Sequence, residues 1–195
     1  MYFDSMEKYL YIIAGCNGAG KTTASNTILP EILDCKEFVN ADEIANALSP
    51  SKPEKVAFKS GRMMLTKIDE LLLEGESFSF ETTLSAKTYQ HLIIEAQNNG
   101  FIVILLFFWL RTIELAKERV VTRVKEGGHH IPENVIERRY KAGITNLFHI
   151  YLPLVDAWLI YDNSDSEPDY MASKDQDGIC KIKNIEKWQQ LNQAL

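Results

Sequence analysis

A glycine-rich loop near the amino terminus has the residue types and spacing of a phosphate-binding loop. Residues 15–22 read GCNGAGKT, which matches the pattern GxxxxGK[ST] in full. The loop follows an apolar run at 9–15, which predicts a strand, and it precedes a predicted helix. Backbone N–H groups of such a loop point inward, and the helix amino terminus adds a favourable dipole. The predicted nucleotide ligands are Gly15, Asn17, Gly18, Ala19, Gly20, Lys21, Thr22 and Thr23.

The last two residues of this loop predict which groups of the nucleotide and which metal ion the site binds. In loops of this type the lysine, here Lys21, reaches the β- and γ-phosphates, and the hydroxyl of the next residue, here Thr22, binds Mg²⁺. We therefore predict ATP and Mg²⁺ as the cofactors. The alternative is a glycine-rich turn that matches the pattern by chance, which the strand and helix on either side disfavour.

Two acidic residues lie at the ends of predicted strands. Asp42 ends the predicted strand at 36–42, and Glu81 lies near the end of the predicted strand at 76–83. Because the carboxyl ends of parallel strands meet at one edge of a sheet, both acids would lie beside the phosphate loop. Two carboxylates there favour a kinase, with one as the base for an acceptor hydroxyl and the other orienting the acceptor or a metal-bound water. Taken singly, Asp42 could cap a helix and Glu81 could be a surface charge.

A locally basic segment follows the fourth predicted strand. Residues 111–141 carry eight lysines and arginines against five glutamates, although the whole chain has a net charge of −6. Arg119 and Arg123 are four residues apart, so a helix would present both to one phosphate cluster. Arg138 and Arg139 diverge by about 100° on a helix, so we expect one of them to face the nucleotide. Cations here would offset the charge of a transferring phosphoryl group.

The rest of this segment leaves a second interpretation open. The glycine pair at 127–128 predicts a hinge. The arginines could instead belong to a solvated helix pair with contacts such as Glu133 to Arg138. The histidine pair at 129–130 has no third ligand nearby, so we expect loop residues and no metal site beyond the Mg²⁺ that accompanies the substrate.

The segments that must hold these residues alternate between helix and strand patterns. This alternation predicts an α/β fold of the P-loop kinase type, with about five strands in a mostly parallel sheet, helices on both faces and a helical lid at 111–145. We expect one domain over residues 1–195, in which residues 164–178 are polar and turn-rich and receive no chemical role. The predicted strands are 9–15, 36–42, 76–83, 101–110 and 156–164, and the predicted helices are 21–30, 52–74, 86–99, 113–126, 132–143 and one from about residue 185.

Composition excludes several classes of protein. A net charge of −6 and an isoelectric point near 5.3 argue against general binding to nucleic acid or to a membrane surface. The three cysteines are far apart in the sequence, so neither a disulfide framework nor a zinc site is expected. The amino terminus lacks the pattern of a secretory signal, and the longest apolar run, 101–110, is about half of the roughly 20 residues that span a bilayer. We therefore expect a soluble, cytoplasmic protein.

Four motifs together carry a resemblance to a known family. The stretches YIIAGCNGAGKTT, FVNADEIA, FETTLS and RVKEGGHHIPENVIERRYKAGITNL resemble the zeta toxin family of P-loop kinases, in particular its short, single-domain branch. The resemblance runs from about residue 9 to about residue 164. It implies an ATP-dependent kinase that transfers the γ-phosphate to a hydroxyl of a small molecule, which in the best-studied members is UDP-N-acetylglucosamine. It also implies a small antitoxin protein as a candidate partner.

The resemblance further implies roles for individual residues. Asp42 looks like the catalytic base, and Glu81 looks like the acid that orients the substrate. Arg123, Arg138 and Arg139 lie in the segment that resembles the lid, whose arginines neutralise the transferring phosphoryl group. Two other hypotheses stay open at this point. One is a different metabolite kinase or an ATPase on the same fold, and the other is a nucleotide-dependent binding module that gates a protein partner.

Overall fold

A single mixed sheet organises the chain. The computed structural model describes residues 7–25, 35–128 and 130–194. Within them, seven strands form one sheet in the order β2-β3-β1-β4-β5-β6-β7. The first five in this order run parallel, and β6 and β7 are antiparallel additions at one edge. The strands are β1 (Lys8–Gly15), β2 (Glu37–Val39), β3 (Phe78–Thr82), β4 (Phe101–Trp109), β5 (Ala157–Asp162), β6 (Asp169–Lys174) and β7 (Cys180–Ile182).

The two central strands are apolar along almost their whole length. Strand β1 is buried from Tyr9 to Gly15, and β4 is buried at every position except Ile102. Continuous apolar runs of this kind are typical of parallel strands whose two faces are both covered. The two strands pair in register from Lys8 with Phe101 to Gly15 with Phe108. Their carboxyl ends therefore lie at the same edge of the sheet, where the glycine-rich loop begins.

The helices connect the strands and supply the residues around that edge. Helix α1 begins at residue 21 and is described to residue 25. A 3₁₀ turn, Pro53–Val56, precedes α3, and a π-helical turn, Leu147–Tyr151, joins α6 to α7. The other helices are α2 (Ala41–Leu48), α3 (Ala57–Glu74), α4 (Tyr89–Asn98), α5 (Ile113–Lys125), α6 (Glu133–Asn146), α7 (Leu152–Leu154) and α8 (Ile185–Gln193).

The predicted α/β fold with a mostly parallel sheet is confirmed, with a higher strand count. The additional strands are β6 and β7, which sequence analysis placed in or beside a polar, turn-rich segment. They lack an apolar run because they form the edge of the sheet, and every residue of β7 is exposed. The predicted helix end near Pro30 lies outside the described residues. No helix in the described part of the chain combines the length and apolar character needed to cross a membrane.

Strand β5 ends in a buried carboxylate that joins the antiparallel edge to the rest of the sheet. Asp162 is 1% exposed and pairs with Arg111 at 2.8 Å and with Lys187 of α8 at 2.7 Å. Burial opposes its ionisation, but hydrogen bonds from Lys187, Ser164 and Arg111 outweigh burial and lower the pKa of Asp162. Lys187 also pairs with Asp169 of β6 at 2.9 Å. Asp162 therefore links β5 to α8, and Lys187 extends this link to β6.

We predict that Asp162→Asn lowers the free energy of unfolding at pH 7 by about 3 kcal/mol, because two cations lose the buried anion between them. A lowered carboxyl pKa stabilises the fold above the unfolded value of about 4, and this contribution is lost as the pH falls through the lower folded value. The difference between wild type and variant should therefore shrink at acid pH. Urea denaturation at neutral pH and at about pH 3 measures both effects. Asp69→Asn, at an exposed position of α3, is the control, and an equal loss in both variants would contradict the prediction.

Candidate functional site

The glycine-rich loop lies between β1 and α1, as its sequence predicts. Gly18 and Gly20 have φ angles of +80° and +78°, in the left-handed region that favours glycine. A Cβ atom at Gly18 would lie 2.9 Å from the Ala116 carbonyl oxygen, and one at Gly20 would lie 2.5 Å from Asn163 Nδ2. The loop is therefore closely packed between α5 and the segment after β5. Asn17 and Ala19, between these glycines, are buried.

The carboxylate of Glu81 is the meeting point of the site. Its side chain is 11% exposed, and Lys21 Nζ lies 3.4 Å from Oε1. Thr22 Oγ1 donates to Oε2 at 2.7 Å, and Asn40 Nδ2 donates to the same oxygen at 3.1 Å. Lys21 also donates to the Cys16 carbonyl at 3.0 Å. Glu81 is thus not a surface charge, because three donors from the glycine-rich loop, α1 and the end of β2 converge on it.

Asp42 lies next to this cluster with an uncommitted carboxylate. The cap of α2 is Asn40, whose Oδ1 accepts a hydrogen bond from the backbone N–H of Asp42 at 2.8 Å. The interpretation of Asp42 as the helix cap is therefore wrong. Among the described residues, no hydrogen bond or ion pair holds its side chain. Sequence analysis gave Asn40 no role, although an asparagine between a strand and a helix is a typical cap signal.

Two clefts meet at Asp42 and Asn40. The first, which we call the strand cleft, has a volume of about 230 Å³ and lies beside the glycine-rich loop, β3 and α6. The second, which we call the helix cleft, has a volume of about 420 Å³ and lies between α2 and the end of α5. Residues of the strand cleft include Asn17, Lys21, Asn40, Asp42, Glu81 and Arg139. Residues of the helix cleft include Thr22, Asp42, Glu43, Glu54, Arg123 and His130.

The arginines of the basic segment divide between these clefts and other surfaces. Arg123 lines the helix cleft, and its Nε and Nη2 atoms are buried without a hydrogen-bond partner among the described residues. Arg139 lines the strand cleft, where its Nη1 donates to Asn17 Oδ1 at 3.3 Å. Arg138 is exposed and lines neither cleft, which agrees with the expectation that one of the pair faces inward. The lid role that the resemblance implied for Arg138 is therefore not supported.

Arg119 also differs from the expectation that it points with Arg123 at one phosphate cluster. Its guanidinium donates to main-chain carbonyls of residues 163–165 instead. The expected contact between Glu133 and Arg138 is replaced by a pair between Glu133 and Lys117 at 3.3 Å. Spacing on one helix could not distinguish these outcomes, because the partners of Arg119 come from a distant segment of the chain.

Burial and charge set the protonation of several groups at the site. Burial, together with the nearby Glu81 carboxylate, raises the pKa of Glu43, which lines the helix cleft. Burial lowers the pKa of Arg139 while the Asp42 carboxylate opposes that effect, and a guanidinium with an ordinary pKa above 12 stays charged at neutral pH. Burial raises the pKa of Cys16 to about 11, so its thiol is protonated at neutral pH and inert as a nucleophile. Cys16 therefore acts as a small buried spacer in the loop.

The residues present fit ATP and Mg²⁺. Left-handed glycines, a buried lysine and the start of a helix form a concave set of donors for phosphate oxygens. Thr22 and Glu81 bring two oxygens within 2.7 Å of each other, and oxygen ligands are those that Mg²⁺ prefers. Thr23 follows in α1. The unpartnered nitrogens of Arg123 add donors for an anion in the adjoining cleft.

We predict that Gly18→Ala and Gly61→Ala change stability in opposite directions. Alanine at residue 18 would be strained at φ +80° and would crowd the Ala116 carbonyl, so we expect a loss of about 1–3 kcal/mol and weaker nucleotide binding. Gly61 lies within α3 with nothing within 4 Å of an added Cβ, so alanine there should stabilise the fold by about 0.5–1 kcal/mol. Urea denaturation of both variants measures the sign of each change in the free energy of unfolding. A Gly18→Ala protein as stable as wild type would show that the loop is loosely packed.

Comparison with known sequences gives one family and one relative. The family model for zeta toxin matches residues 2–175. An uncharacterised protein of Haemophilus influenzae is 28% identical over 135 residues, which cover 69% of this chain and 94% of that protein.

Comparison with solved structures shows the fold. A chain of the AvrRxo1-ORF1:-ORF2 complex with ATP superposes with a TM-score of 0.80 at 18% identity and matches 96% of this chain, which spans 64% of that one. The PezAT chromosomal toxin-antitoxin system of Streptococcus pneumoniae gives a TM-score of 0.63 at 18% identity, covering 91% of this chain and 72% of that one. A gluconokinase from Sinorhizobium meliloti gives 0.54 at 14% identity, covering 83% and 86%. These likenesses show a P-loop kinase fold. Because the zeta toxin family model matches nearly the whole chain, the chain belongs to the zeta toxin family.

Proposed function

We propose that the protein is an Mg²⁺-dependent kinase that transfers the γ-phosphate of ATP to a hydroxyl of a small molecule. The observation that carries this proposal is the convergence of Lys21, Thr22 and Asn40 on Glu81, with the uncommitted carboxylate of Asp42 beside them. A site that only held a nucleotide would need the glycine-rich loop, but it would not need a free carboxylate at the junction of two clefts. Membership of the zeta toxin family and the P-loop kinase fold support the same reaction class.

On the donor side, the glycine-rich loop and Lys21 bind the phosphates of ATP. Thr22 and Glu81 supply oxygens for Mg²⁺, which when bound neutralises charge on the phosphates. The contact with Thr22 supports a role for Glu81 on this side of the reaction, in addition to the acceptor side that the resemblance implied. The ion pair with Glu81 holds the Lys21 ammonium in place at 3.4 Å before the nucleotide arrives.

On the acceptor side, Asp42 is the general base. The acceptor oxygen forms a bond to the γ-phosphorus while the bond from that phosphorus to the β–γ bridging oxygen breaks, and Asp42 takes the proton of the acceptor hydroxyl. The absence of a hydrogen-bond partner for Asp42 among the described residues leaves its carboxylate available to the acceptor. Asn40 holds the backbone of Asp42 and donates to Glu81, so it fixes the spacing of the two acids.

Arg123 and Arg139 offset the negative charge that spreads over the transferring phosphoryl group. They approach from the helix cleft and the strand cleft, and so from two sides of Asp42. A guanidinium delivered in this way contributes roughly 10³ to 10⁵ in rate in related phosphoryl transfers. The acceptor that we propose is a small molecule with a free hydroxyl, and UDP-N-acetyl sugars are the first class to assay.

Two further proposals concern the whole chain. We propose a single domain, because one sheet runs through the described residues from β1 to β7, with residues 111–145 as the lid. We also propose a small antitoxin protein as a partner, supported by the likeness to the PezAT toxin-antitoxin system. Co-purification with the product of a neighbouring small gene tests the antitoxin proposal.

Asp42→Asn should lower phosphotransfer about 10²- to 10⁴-fold, because the acceptor proton loses its base while the donor site keeps its ligands. ATP labelled at the γ-phosphate, incubated with a metabolite pool, identifies the product, and titration calorimetry measures ATP affinity. Asp69→Asn is the matched control at an exposed position. Transfer at the wild-type rate with ATP binding intact would remove Asp42 from the mechanism. Release of free phosphate without any labelled metabolite would favour an ATPase.

The adjacent arginines of α6 make a second matched pair. We predict that Arg139→Ala lowers the phosphotransfer rate about 10³-fold, because a cation leaves the strand cleft, whereas Arg138→Ala changes it less than about twofold. Initial rates with labelled ATP measure both variants at saturating nucleotide. Equal losses in the two variants would show that the helix turns or moves before the reaction.

A further inference from the structure

Arg119 of α5 is committed to the main chain of a distant segment. Its Nη1 donates to the carbonyl of Asn163 at 2.7 Å, and its Nη2 donates to the carbonyls of Ser164 and Asp165 at 3.0 and 3.2 Å. These residues form the loop that directly follows β5, which we call the 163–165 loop. Because the planar fork of a guanidinium matches these acceptors simultaneously, Arg119 is not free to follow a phosphate.

The 163–165 loop in turn contacts the glycine-rich loop. Asn163 Nδ2 donates to the Ala19 carbonyl at 2.7 Å, and the Asn163 backbone N–H donates to the Trp109 carbonyl at 2.8 Å. A Cβ atom at Gly18 would lie 3.1 Å from Arg119 Cβ, so α5 also packs directly on the glycine-rich loop. Arg119 therefore stands where α5, the 163–165 loop and the glycine-rich loop meet.

The sheet order shows which part of a nucleotide this junction would face. Strand β3, which carries Glu81, lies on one side of β1, whereas β4 and β5 lie on the other. Lys21 and Thr22 both turn toward Glu81, so the γ-phosphate end of a bound nucleotide belongs on the β3 side. The nucleoside must leave the glycine-rich loop in the opposite direction. That direction leads past β4 to the 163–165 loop and the start of α5.

We propose that Arg119 is a positioning residue for the nucleoside of ATP: by binding three consecutive carbonyls it holds the 163–165 loop against the glycine-rich loop as the wall of the nucleoside subsite. It acts through this backbone and does not contact the phosphates. The inference rests on the nucleotide site of the proposed function, and it separates Arg119 from Arg123, which lies four residues further along the same helix with unpartnered nitrogens.

A comparison of two ligands can distinguish a role of Arg119 in positioning the nucleoside from a direct contact with the phosphates. Titration calorimetry with Mg²⁺ measures the affinity of the full chain for ATP and for inorganic tripolyphosphate, which has the three phosphates without the nucleoside. Because each hydrogen bond from a charged group is worth on the order of tenfold, Arg119→Ala should weaken ATP binding by at least about tenfold and tripolyphosphate binding by less than about twofold. Arg119→Lys, which keeps the charge and loses the fork, should show the same selectivity with a smaller loss. Arg62→Ala, at an exposed position of α3, is the control.

The same variants can overturn the inference. An equal loss for both ligands would make Arg119 a phosphate ligand, and unchanged affinity for both would make its contacts purely structural. If Arg119→Ala unfolds in a thermal melt, Arg119→Lys carries the comparison. Where turnover is measurable, the KM for ATP should rise with little change in kcat. Binding tests Arg119 even if no acceptor is ever phosphorylated, so a wild-type protein that binds ATP without transferring its phosphate would contradict the proposed function alone.

Discussion

The carboxylate of Glu81, which is largely removed from water and contacted by three donors, is the constraint on which the site depends. Burying a charge is costly unless ion pairs and hydrogen bonds replace its hydration. Here Lys21, Thr22 and Asn40 provide them, from the glycine-rich loop, from α1 and from the residue after β2. The acid therefore requires β2, β3 and β1 to end at the same edge. The order of the strands thus brings together the donors that the buried Glu81 carboxylate requires.

Asp162 shows why a carboxylate at a strand end does not by itself make a functional site. It ends β5 at the same edge as the glycine-rich loop, yet Arg111, Lys187 and Ser164 saturate its oxygens. Asp42, by contrast, has no such partners among the described residues and opens onto two clefts. The carboxylate of Asp162 therefore has a structural role, whereas the carboxylate of Asp42 is available to a substrate. The difference between the two side chains is that Asp162 has hydrogen-bond and ion-pair partners and Asp42 has none among the described residues.

The sequence could predict the parts of the molecule that are specified locally. The glycine-rich loop, the apolar strands and the position of Glu81 follow from patterns of a few residues and from the rule that parallel strands end together. The prediction that Asp42 ends a strand is wrong, because β2 ends at Val39 and Asp42 lies in the first turn of α2, a short helix that the sequence analysis did not predict. Arg119 could not be separated from Arg123 in this way, because its partners lie 44 to 46 residues further along the chain. Strands β6 and β7 were missed for a related reason. An exposed sheet edge needs no apolar run, so its pairing leaves little pattern to detect.

The arrangement of cations indicates a site that is incomplete without an anion. Buried donors without partners destabilise a folded protein, and the described residues leave two nitrogens of Arg123 in that condition, while Arg139 makes one long hydrogen bond of 3.3 Å. Lys21, in contrast, is neutralised by Glu81. In the proposed reaction, Lys21 keeps an ion-pair partner before the nucleotide binds, whereas Arg123 and Arg139 would gain strong partners from phosphate oxygens. Because they line different clefts that meet at Asp42, the gain is largest for a phosphoryl group that sits between both clefts, which is the position of a group in transfer.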